Sequence, residues 1–143
     1  MAALDRERPQ KLWFAKKLLL PMGANFKAFQ GGIACFDSSA PGYVVQGQAS
    51  TTLMRIGVFA ETIDNTGGAA GALKVNVELD REVCGHFFAQ DGTITEASIG
   101  TDAYVLDDRT VTATAAGRSV AGRVWMFMDP GSVALVGVAL HNP

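Results

Sequence analysis

Cysteine, histidine and tryptophan are all scarce in this chain: its 143 residues hold two of each. Cys35 and Cys84 cannot build a multi-bridge disulfide scaffold, so the fold must rest on a core. The expectation is two reduced, buried thiols, with one Cys35–Cys84 disulfide as the alternative. His86 and His141 leave any zinc site short of ligands. Charged residues make up only 18% and the net charge is −2, against 48% apolar residues. That balance excludes a chain kept disordered by its own charge. No run approaches the ~20 apolar residues of a membrane helix. LLLPM near the start is too short for a secretion signal, is broken by Pro21 and follows acidic residues. A chain made and used in a cytoplasm, without a membrane partner, is expected.

What is plentiful points to strands. Glycine reaches 16 residues and Val and Thr are frequent, while Lys and Glu are few. The length suits one domain, which buries roughly two-thirds of its unfolded surface. Charge is split along it. Residues 1–27 carry six basic and two acidic residues, net +4, whereas the remainder carries six basic and twelve acidic, net −6. A basic arm on an acidic body suits docking onto an acidic neighbour, another copy included. Nucleic acid is not expected as a partner, because the body would repel phosphate and the arm has few aromatics for stacking.

The predicted fold class is all-β and mainly antiparallel, a compact small β-barrel or sandwich with hairpins and at most one or two short helical turns. Residues 1–27 read as an N-terminal arm and 28–143 as a single β domain. In the arm, KLWFAKKLLLP admits a helical turn or an extended segment before Pro21 and Gly23. Strands are expected at Phe29 to Phe36, Tyr43 to Gln46 and Leu53 to Ile63, the last interrupted by Gly57. LKVNVELD alternates strictly, with Leu73, Val75, Val77 and Leu79 on one face. Arg81 to Phe88 is read as its continuation. ITEASIG suits one helical turn, AYVLDDRTVTATAAG two short strands around a turn, and VAGRVWMFM–DPGS–VALVGVAL a C-terminal hairpin.

The glycines Gly67, Gly68 and Gly71 invite a nucleotide-binding reading, but their spacing is wrong and a strand pattern follows where a helix N-terminus is required. They read instead as a mobile hairpin loop. Cys84 and His86 would share one strand face and form a thiolate–imidazole pair or seed a metal site, yet further ligands are lacking. The blander reading is a buried thiol beside a partly exposed imidazole. No serine lies in a G-x-S-x-G turn. Asp107 and Asp108 are adjacent and belong to a turn, and Asp64 with Asn65 suits an Asx turn. No catalytic residue, cofactor or metal is expected.

The last hairpin is apolar on both sides. Val124, Met126 and Met128 would take one face and Trp125 and Phe127 the other. A strand apolar on both faces must be covered on both, either within the chain, with help from the arm, or by another subunit. Trp13, Phe14, Leu18 and Leu19 in the arm need cover as well. These four, with Trp125 and Phe127, are the candidate protein-interface residues, since aromatic anchors dominate such contacts.

Three stretches, GGIACFDSSAPGYVV, MRIGVFAETIDNTGGAAGALKVNVELDREVCGHFF and IGTDAYVLDDRTVTATAAGRSVAGRVWMF, together resemble the small decoration, or cement, proteins of tailed-bacteriophage capsids. The likeness spans roughly residues 28 to 128; the arm with its WF and KK pairs does not match. It implies a virion protein on the outer surface of an icosahedral head, often a homotrimer, partnered by the major capsid protein and by itself, with no catalytic residues. The alternatives are another head or tail structural subunit, or a small β-barrel binding module or enzyme using Cys84 and His86.

Overall fold

The alternating LKVNVEL segment becomes a central strand of the first sheet. A computed structural model describes residues 16–79, 86–128 and 135–139, and within them the chain is all-β. The first half supplies β1 (Lys17–Pro21), β2 (Lys27–Ala28), β3 (Ile33–Asp37), β4 (Val44–Gln46), β5 (Leu53–Phe59), β6 (Ile63–Asp64) and β7 (Lys74–Leu79). Five of these form an antiparallel sheet in the order β1-β7-β5-β3-β4, while β2 and β6 make a separate two-stranded ribbon. A backbone bridge from Met22 to Val44, with Gly23 N donating to Val44 O at 2.9 Å, links the end of β1 to β4. The sheet therefore curls until its two outer strands meet at one end.

The second half supplies β8 (His86–Gln90), one 3-10 turn (Glu96–Ser98), β9 (Asp102–Val105), β10 (Thr110–Thr112), β11 (Val120–Met128) and β12 (Leu135–Ala139). These five strands close into a barrel in the order β10-β8-β12-β11-β9, antiparallel except for the short β10–β8 pairing. Closure removes the exposed edges that an open sheet would present.

Two apolar clusters result, one on each face of the first sheet. Ile33, Cys35, Leu53 and Val58 pack against Phe88, Ile94, Val105, Val111 and Val124 of the barrel half. Met22, Ala34, Val44, Ile56, Phe59, Val75 and Val77 fill the opposite face, with Phe26 and Ile63 packed onto them. Full burial of each large side chain contributes about 1.5–3 kcal/mol. A β-bulge distributes β5 between the two. Ala34 pairs with Gly57 and Cys35 with Arg55, which leaves Ile56 as an extra residue. The alternation therefore slips by one, so Leu53 and Val58 reach the first cluster while Ile56 and Phe59 reach the second. Gly57 is required there: a Cβ would overlap the Glu78 carbonyl oxygen of β7.

Three expectations are revised by this arrangement. Lys17–Pro21, read as part of the arm, is strand β1 and pairs with β7 through all five residues, because Leu18 and Leu20 fall opposite the buried Val77 and Val75. β7 and β8, read as one continuous run, lie in different sheets. The barrel half and the β2–β6 ribbon pack on the two faces of the first sheet. The glycine loop does connect antiparallel neighbours, β5 and β7, but it is fastened rather than loose. Asn25 N donates to Gly68 O (3.0 Å), Gly71 N to Met22 O (2.8 Å) and Gly67 N to the Asn25 side chain (2.8 Å). Buried Asn65 adds side-chain bonds to the Gly23 and Ala69 carbonyls.

Candidate interaction surface

β11 builds the surface through a second bulge. Val124 pairs with Val138 and Met126 with Gly137, so Trp125 is the extra residue. Val124 points into the core at 1% exposure, whereas Trp125 and Met126 both turn outward, 54% and 51% exposed. On the far side of β12, Phe87 pairs with the same Gly137 and is itself 51% exposed. Met126, Gly137 and Phe87 thus form one row across three strands, with the outer two about 10 Å apart. Ile99, 49% exposed, joins the margin: Gly100 N donates to Val124 O at 2.7 Å, which brings the turn after Glu96–Ser98 beside Trp125. Arg123 of β11 and Asp102 of β9, 3.8 Å apart, place a polar pair across the two strands beside it. Four large apolar side chains on one barrel wall form the kind of patch that marks an interaction site.

Arg55 fixes the strands beneath this wall. It rises from β5 into the junction between sheet and barrel and is 1% exposed. Its guanidinium lies 4.8 Å from the centre of the Phe88 ring. Nη1 donates to Ala121 O on β11 at 3.2 Å, and Nη2 lies 3.4 Å from His86 Nδ1 on β8. The other ring nitrogen, Nε2, lies 3.8 Å from Glu78 Oε1. One side chain therefore ties β5, β8 and β11 together.

The residues singled out from the sequence separate in the structure. Trp13 and Phe14 lie outside the described residues. Leu18 is half-buried and pairs with Val77 of β7, and Leu19 is exposed. Trp125 is exposed, whereas Phe127 is half-buried and does not share its face. The bulge is the reason: it turns Met126 outward with Trp125 and sends Phe127 inward. Phe87, Met126 and Ile99 were not anticipated. In the sequence, Phe87 differs from Phe88 only by its parity, and parity has no meaning until one of the two is known to face inward.

Cys84 also lies outside the described residues, so its pairing with His86 stays a sequence expectation. Cys35 is a free, buried thiol, and burial pushes its pKa up to about 12, so it stays protonated and inert. Asp107 serves a turn, accepting from Arg109 N and Thr110 N. Asp64 accepts from Thr66 N in the expected Asx turn. Among the described residues no group of three or more His, Cys, Asp or Glu could hold a metal ion, and no helix is long and apolar enough to cross a membrane. No family model, curated protein or solved structure matches the chain.

Proposed function

We propose that this chain is a virion structural protein, a capsid decoration or cement protein that sits on the outside of an icosahedral phage head and stabilises contacts between capsomers. The observation that carries the reading is the Trp125–Met126–Phe87–Ile99 wall, apolar surface that remains after both internal clusters are filled. The residues behind the family resemblance support it as well. Outside the undescribed residues 80–85 they fall on β3–β4, β5–β8 and β9–β11 and the turns between them. A net +4 within residues 1–27, against −6 in the rest, adds an electrostatic handle for a neighbouring acidic surface.

In this role the protein performs no reaction. Binding only to the assembled shell stabilises that state by mass action. The partners are the major capsid protein and further copies of the chain. The test is co-sedimentation of the purified protein with expanded heads of the virus that encodes it. Saturable binding that raises the temperature at which the heads rupture is the expected result. Absence of binding to both expanded and unexpanded heads would overturn the reading.

A further inference from the structure

We infer that the bulge at Trp125 is a docking device: Trp125 is an extra residue carried for binding the shell, and the fold does not need it. The inference rests on the decoration reading above and deepens it by naming the anchor and what it enters.

The first argument is what the extra residue does in each of the two bulges. In β5 the extra residue is Ile56, which is 9% exposed and belongs to the second apolar cluster. That bulge serves packing, since it sends side chains into both clusters. In β11 the extra residue is Trp125, 54% exposed, and it belongs to neither cluster. A regular strand sends successive side chains to opposite faces, so it cannot present two neighbours on one side. The bulge does so, with Trp125 and Met126 both outward. Bulges are common beside functional sites because they re-aim side chains in this way.

The second argument is what surrounds the insertion. The β11–β9 ladder ends at Arg123 opposite Asp102, so Trp125 lies beyond it. Val124 is held separately: its N–H donates to Thr101 O at 2.9 Å, and its oxygen accepts from Gly100 N at 2.7 Å. Across β12, Val124 faces Val138 and Met126 faces Gly137. Without Trp125 these two pairs become consecutive rungs of an ordinary antiparallel ladder. Val124 then still points inward, Met126 outward and Phe127 inward, each as it does now. The extra residue therefore sets no other residue's face or partner.

The third argument is the residue type. Tryptophan is enriched at binding hot spots, where it fills a desolvated pocket inside a ring of lesser contacts. Its flat, largely apolar indole fits a narrow apolar cleft. The partner feature is a cleft of that kind on the expanded shell, with Met126, Phe87 and Ile99 as the ring around the anchor.

The test compares the full-length wild type with a deletion of Trp125 and with Trp125→Ala, which keeps the bulge and removes the indole. Thermal melts read the fold, and co-sedimentation with expanded heads reads the docking. Both variants are expected to melt within about 4 °C of wild type, as changes outside a core do. Both are expected to bind heads at least about thirtyfold more weakly, the effect of losing an interface anchor. A deletion variant that unfolds, or melts further below wild type than that, overturns the inference, because the bulge then belongs to the fold. Head binding that is unchanged in Trp125→Ala overturns it as well, whatever the deletion does. Failure of the decoration reading looks different: the wild type itself then binds neither expanded nor unexpanded heads, and this role for Trp125 falls with it.

Discussion

Replacing Arg55 tests how the barrel is held against the sheet. In Arg55→Ala the Ala121 carbonyl loses a charged donor, a bond in the class of about 1.5–3 kcal/mol. The contact with Phe88 is lost as well, at about 2 kcal/mol for a desolvated pair. The aliphatic stem leaves a cavity, and truncation of large core side chains costs about 2–5 kcal/mol. These losses share the same atoms and do not add. The expected total is about 3–5 kcal/mol, the upper part of the range for truncating a large core side chain. For 143 residues the unfolding entropy is about 0.3 kcal/mol/K, so Tm falls by about 10–17 °C. Thermal melts and urea titrations with unchanged m read this directly. Arg55→Met keeps most of the stem and loses only the donors, and is expected to cost about 1–3 kcal/mol. A loss under about 1 kcal/mol in Arg55→Ala would refute the view that this side chain joins β5 to β8 and β11. A methionine variant as stable as wild type would assign its contribution to packing alone.

Other perturbations address single features. Gly57→Ala drives a Cβ into the Glu78 carbonyl oxygen and is expected to destabilise by at least about 2 kcal/mol, measured by urea unfolding. Cys35, with its pKa pushed to about 12, is expected to escape iodoacetamide at pH 8 in the native protein and to react in urea, read by peptide mass spectrometry. The Asp37 carboxylate is held below its ordinary pKa by bonds from Ser39 and Thr52. Its contribution is therefore present above the unfolded value of about 3.9 and lost as pH falls through the lower folded one. The stability deficit of Asp37→Asn is expected to be constant above about pH 5 and to shrink below about pH 4. Removing residues 1–15 keeps β1 in place, and the shortened protein is expected to melt like wild type but to lose affinity for expanded heads, measured by co-sedimentation.

Most strands could be read from the sequence because their residues obey local rules. LKVNVEL alternates because one face of β7 meets a core, and ITEASIG holds its single turn between Thr95 and Ile99. The turns at Asp64 and Asp107 follow from side chains that bond their own backbone. What escaped was non-local. Nothing in LMRIGVF announces that Ile56 is an extra residue opposite β3, and nothing in RVWMFM announces the same of Trp125. Each bulge is set by a partner strand distant in sequence and reverses the face of every residue beyond it. That is why Trp125 and Phe127, read as sharing one face, are separated in the structure. Arg55 gave no signal either, since a lone arginine in a strand pattern reads as solvent-facing until the strands around it are known.

Trp125 lies on apolar surface that stays exposed among the described residues and reports on it directly. In a Trp13→Phe background it is the sole tryptophan, so acrylamide quenching of its fluorescence measures access to that wall. The account predicts strong quenching in dilute monomer and marked protection once the protein is assembled on heads. A Trp125 already shielded in the dilute monomer, or still open to quencher in the assembled particle, would contradict it.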